Sequence, residues 1–117
     1  MKAKSSENRN LEIEFDYALK VTDASGSYMD KVFKDNDYIL LKKQSTAKNG
    51  DIVHVQPYED LPDYKVIKIY KQTKTRITLL SPSDERGFDI VYRLKDKARP
   101  VILGVVMGIC EDGKCFE

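Results

Sequence analysis

The chain has 117 residues, 41% of them hydrophobic, which suits one domain able to bury a core. Lysine and arginine number 20 against 19 aspartate and glutamate, and a net charge of +1 supplies no broad attraction for nucleic acid or an anionic membrane. No apolar run approaches the roughly 20 residues that cross a bilayer, and the opening "MKAKSSENRN" lacks the apolar segment of a secretory signal. The expectation is a cytoplasmic protein with no membrane partner.

Residues 1–11 are polar and read as a disordered tail or linker remnant before one domain over 12–117. "EIEFDYALKV" then alternates strictly, with Ile13, Phe15, Tyr17, Leu19 and Val21 on one face, and so predicts a half-buried strand. The alternation stops at "TDASGSYM", where Ser25 and Ser27 flank Gly26, and resumes in "DYILLKK" (37–43). "DIVHVQPY" (51–58), "DYKVIKIY" (63–70), "RITLL" (76–80), "FDIVYRL" (88–94) and "VILGVVMGI" (101–109) follow, separated by turn signals such as Asn49-Gly50 and the stretch around Pro62. Strands at this spacing, with no helix longer than about two turns, predict a mostly β fold of antiparallel sheets with short helical turns.

Common catalytic signatures are missing: there is no phosphate-cradling Gly-rich loop, no HExxH and no nucleophile elbow. The two cysteines, Cys110 and Cys115, frame "CEDGKC", where Asp-Gly can turn the chain; free thiols are expected, as reducing compartments keep them. With one histidine, His54, read as a strand residue, the ligands for a closed zinc site are too few, so neither metal nor cofactor is expected.

One chemistry remains open. A serine hydroxyl can be activated by a neutral lysine, provided that the lysine is desolvated enough to lose its proton near neutral pH. Lys68 has an apolar setting: it shares a face with Tyr64, Val66 and Tyr70 and is flanked by Ile67 and Ile69, whereas Lys65 lies on the opposite face.

The order of "YALKV", "SYMDKVFKDNDYILL", "AKNGDIVHV", "KVIKIYKQTKTRITLLSPS" and "VILGVVMGI" resembles the carboxyl-terminal domain of the LexA family, which includes lambda-type phage repressors and UmuD proteins. The resemblance runs from about Phe15 to Ile109, and its most specific parts are the order and spacing of "DND", "NGDIV" and "VIK". It implies the β-rich fold shared with type I signal peptidases, with Ser27 as nucleophile and Lys68 as general base. Counting forward from Val21 lands on Ser25, the alternative nucleophile; counting back from Asp35 lands on Ser27 and also places Asp30 and Phe33 where the family carries an acidic and an apolar residue. The chain departs from the family in having Gly26-Ser27-Tyr28 for Gly-Asp-Ser-Met, and Asn36 for the usual Gly between two aspartates.

The resemblance further implies the carboxyl-terminal part of a transcriptional repressor that forms a homodimer and cuts its own linker in the SOS response, with the RecA filament on single-stranded DNA as inducer. Operator DNA is then contacted only through an amino-terminal helix-turn-helix domain that this sequence lacks. The other readings are a dimerisation module whose dyad has decayed and a free-standing polymerase partner of the UmuD kind. The apolar closing strand "VILGVVMGIC" is expected to be buried partly against a second subunit.

Overall fold

In the computed structural model of the chain, which describes residues 1–5, 11–24, 29–83 and 88–116, most of the alternating segments become strands. These are β1 (Lys2–Lys4), β2 (Glu12–Glu14), β3 (Tyr17–Lys20), β4 (Tyr38–Lys43), β5 (Ile52–Gln56), β6 (Val66–Gln72), β7 (Arg76–Leu80), β8 (Ile90–Arg93) and β9 (Val101–Cys110). A pair of 3-10 turns over Glu111–Phe116 follows. The seven strands β3 to β9 form one sheet in the order β3-β4-β9-β5-β6-β7-β8, and β1 and β2 form a separate two-stranded sheet. Every pairing is antiparallel, and the fold is mostly β, as the strand spacing predicts.

β9 comes last in the chain yet lies between β4 and β5, which requires its apolar middle to sit inside the sheet. Gly104 is the point of closest approach. A Cβ there would run into the Tyr17 hydroxyl and the Lys42 carbonyl oxygen, so the ring of Tyr17 crosses β9 where there is no side chain. Register shifts at Leu40/Leu41 and His54/Val55 let β4 and β5 follow β9 on its two sides.

Alternation then sorts the side chains into separate cores. Val53, Val55, Tyr70, Ile77, Leu79, Tyr92 and Val105 form one. Val21, Ala24, Phe33, Ile39, Leu41 and Ile67 form a second, and Ala3, Phe15, Leu40, Cys110 and Cys115 a third under the small sheet. Adjacent residues of one strand, Val53 and Ile52, pack against different cores, as the period of two requires.

Three expectations are corrected. The strand predicted over 12–21 is two strands in different sheets, broken at Phe15 and Asp16. The Phe15 N–H donates to the Met1 carbonyl (2.9 Å), while the Asp16 N–H donates to the Leu41 carbonyl (2.7 Å), so each half follows a different neighbour. Residues 2–4 are not a loose tail: Ala3 pairs with Ile13 and is buried in the third core, while Lys2 and Lys4 on either side of it are exposed. Residues 6–10 lie outside the described residues. Finally, Cys110 and Cys115 are not free thiols but a disulfide with Cα atoms 5.4 Å apart. Asp112 and Gly113 have φ of 52° and 72°, and this left-handed pair folds the end of the chain back far enough to bring the sulfurs together.

Candidate active site

The second core reaches Ala24 and Met29, the residues on either side of 25–28. Ser25, Gly26, Ser27 and Tyr28 lie outside the described residues, as do 84–87, and the structure describes the residues that flank them. Ala24 is buried, and its N–H donates to Asp35 Oδ1 (2.8 Å); the Met29 N–H donates back to the Ala24 carbonyl (2.9 Å). The entry and exit of residues 25–28 are therefore tied to each other and to "DND".

That motif works residue by residue. Asp35 holds the entry to the turn. Asn36 takes φ of 73°, a left-handed conformation that asparagine tolerates better than other side-chain-bearing residues, which accounts for its standing in a position the family gives to glycine. Asp37 is buried and accepts from the Lys34 N–H (3.1 Å) and the Asp112 N–H (3.4 Å), linking the motif to the terminal turns. Phe33, 1% exposed, anchors the segment in the second core.

"NGD" sets the position of β6 in the same way. Gly50, at φ of 90°, donates its N–H to the Tyr70 carbonyl (2.8 Å), and the Tyr70 N–H donates to the Asp51 carbonyl (2.8 Å). Asn49 exchanges hydrogen bonds with Gln72: the Gln72 N–H donates to Asn49 Oδ1 (2.6 Å), and Asn49 Nδ2 to the Gln72 carbonyl (3.2 Å). β6 is thereby clamped in register, and Lys68 lies opposite Val53.

Lys68 is 7% exposed. Its Nζ donates to Ser81 Oγ (2.6 Å) and to the Phe88 carbonyl (2.7 Å). Burial holds the amine below the ordinary lysine range, because a charged group loses hydration there; the Asp89 carboxylate opposes the shift in part. The apolar face expected for Lys68 is present in Val66 and Tyr70, with Ile67 and Ile69 flanking it on the opposite face, but Tyr64 lies before the strand, exposed and against Tyr58 with ring centroids 5.9 Å apart.

Ser81 is the contact that the linear reading missed. No pattern along the chain marks it: β6 pairs with β7 as Ile69 with Leu80, and this register carried one step further sets residue 81 beside Lys68. The next residues reach the segment that follows Tyr28. The Pro82 carbonyl accepts from the Lys31 N–H (3.2 Å), and the Ser83 hydroxyl donates to Asp30 Oδ1 (2.6 Å). Residues 81–83 thus bridge Lys68 and the segment that leaves residues 25–28.

A cavity of about 270 Å³ lies alongside, lined in part by Leu19, Val21, Met29, His54, Lys65 and Ile67. Its wall on β6 stops one residue short of Lys68. His54 is a β5 residue as expected; its Nδ1 lies 2.8 Å from the Tyr17 hydroxyl, and burial, then Lys65, lowers its pKa. Among the described residues no three His, Cys, Asp or Glu side chains come together as a metal site, and no helix is long and apolar enough to cross a membrane.

The described residues form a mostly β domain that carries a buried lysine, Lys68, on β6. The chain belongs to the Peptidase S24-like family, whose model matches residues 5–107. No curated protein matches it.

Proposed function

We propose that the chain is the self-cleaving and dimerising domain of a LexA-like repressor, with Ser27 as nucleophile and Lys68 as general base. The observation that carries the reading is the Lys68 amine: buried, held below its ordinary pKa, and joined through residues 81–83 to the segment that follows Ser27. Neutral Lys68 takes the Ser27 hydroxyl proton as Oγ attacks the carbonyl carbon of a linker peptide bond. The resulting ammonium gives that proton to the departing amine as the C–N bond breaks. Water, deprotonated by the same amine, then hydrolyses the acyl-serine ester and releases the new carboxyl terminus.

Cutting the linker separates operator binding from dimerisation. Two half-sites held by one dimer benefit from effective concentration, so the cut weakens DNA binding by orders of magnitude while leaving the DNA contacts intact. The RecA filament on single-stranded DNA is the inducer in this reading.

The test is cleavage of the parent protein, followed by gel electrophoresis across alkaline pH. Ser27→Ala and Lys68→Ala should each abolish cleavage, and Ser25→Ala should slow it modestly. Loss of cleavage in Ser25→Ala alone would move the nucleophile to Ser25. An uncut wild-type parent that still dimerises would identify the decayed dimerisation module instead.

A further inference from the structure

Resting on that reading of Lys68, we propose that Ser81 is a positioning residue for the general base: with the Phe88 carbonyl it occupies both N–H bonds of the neutral amine and leaves the lone pair for the nucleophile. A neutral lysine amine has two N–H donors and one lone pair. Among the described residues Nζ has two oxygen neighbours at bonding distance, Ser81 Oγ at 2.6 Å and the Phe88 carbonyl oxygen at 2.7 Å. The carbonyl can only accept. If Ser81 also accepts, both donors are engaged and the lone pair has one remaining direction. A lysine on a flexible four-carbon stem gains from this, because an unrestrained amine rotates its lone pair away from the hydroxyl it must deprotonate.

The position of Ser81 is determined by the fold. It directly follows β7, where the register of β6 and β7 brings it beside Lys68, and it precedes Pro82, whose side chain is fully buried. The hydroxyl is therefore set by backbone on both sides. The same short segment holds Lys31 and Asp30 through Pro82 and Ser83, so one strand end contacts both the base and the residues that follow Tyr28.

Removing the acceptor has a sign. A hydroxyl oxygen stabilises the ammonium more than the amine, so its loss lowers the Lys68 titration midpoint while the Asp89 carboxylate remains to oppose the change. A residue that merely filled space would not move that midpoint.

The experiment has two readouts. In the full chain labelled at lysine, the Lys68 resonance, assigned with Lys68→Ala, is titrated by NMR in wild type, Ser81→Thr, Ser81→Val and Ser81→Ala. Thr and Val share a shape and differ by the hydroxyl. Ser81→Thr should keep the wild-type midpoint, and Ser81→Val and Ser81→Ala should lower it by about half a unit or more. In the parent protein, Val and Ala should also slow cleavage at least about tenfold at the pH plateau, with Thr restoring it. Identical midpoints in Thr, Val and wild type would overturn the inference whatever cleavage does. A shifted midpoint in a parent that never cleaves would uphold the placement of the amine and overturn the peptidase reading alone.

Discussion

Lys68 shows how one side chain couples chemistry to stability. Its folded pKa lies below the ordinary 10.5, so the unfolded chain binds the proton more tightly than the folded one. The resulting penalty is full below the folded value and fades as pH rises from there to 10.5. Lys68→Met removes it, so the stability of the variant minus that of wild type should fall as pH rises through that window, in urea unfolding at a series of pH values. A difference that does not change with pH would mean that the amine is not desolvated. Cleavage by the parent should rise as pH approaches and passes the folded value and level off above it, since only the neutral amine accepts a proton. Tyr92 has the opposite sign. Burial, reinforced by Tyr58, pushes its pKa up to about 12, and its hydroxyl donates to the Pro57 carbonyl at 2.6 Å. Its contribution is whole below pH 10 and is lost as pH rises through about 12. Tyr92→Phe should cost about 1–2 kcal/mol at neutral pH and reduce the loss of stability between pH 10 and 12, measured by the same unfolding series.

The turns and strand ends hold the site in place. At Asn36 the left-handed backbone makes a clear comparison: Asn36→Gly should be neutral or stabilising, whereas Asn36→Val should destabilise by about 1–2 kcal/mol in thermal or urea unfolding. Equal effects would show that the conformation is not strained. The terminal turns form a second joint. The disulfide closes a short loop, and Phe116 packs its ring against Tyr38 and Phe15, with centroids 5.3 and 6.3 Å away. Reduction, or Cys115→Ser, should cost about 2 kcal/mol on a chain-entropy account. Hydrogen exchange should then quicken first in the terminal turns and in β1, which pack on each other, before β4 or β5 is affected.

At the scale of the whole molecule, stability is spread over separate cores along a body 47 × 26 × 25 Å. Leu79, fully buried in the first core, should cost about 2–5 kcal/mol when changed to Ala, read as a lower urea midpoint. β9 marks the expected contact with a second copy. β5 stops pairing with it at Val105, so among the described residues Val106–Cys110 has its strand partner in β4 alone, and Met107 is 48% exposed. Sedimentation at micromolar concentration should give a mass near twice that of one chain, and Met107→Lys should lower it toward one. A wild-type chain that stays monomeric at hundreds of micromolar would remove the dimer from the proposed function.

Strand existence was legible in the sequence because it depends on local patterning. "RITLL" and "VILGVVMGI" alternate or stay apolar where β7 and β9 form, and "NGD" announces the turn that Gly50 makes. The lysine was legible as well, since apolar neighbours along one strand suffice to predict burial of Lys68. Whatever depended on residues far apart in the chain was decided only by tertiary structure. The break at Phe15 and Asp16 arises because Met1 and Leu41, far apart in the chain, accept from successive N–H groups, and no alternation over 12–21 records those partners. Cys110 and Cys115 join because two consecutive left-handed residues turn the chain, a backbone choice that composition leaves open. Ser81 reaches Lys68 across a hairpin whose register is set by side-chain packing on both faces, so its role appears only once the strands are paired.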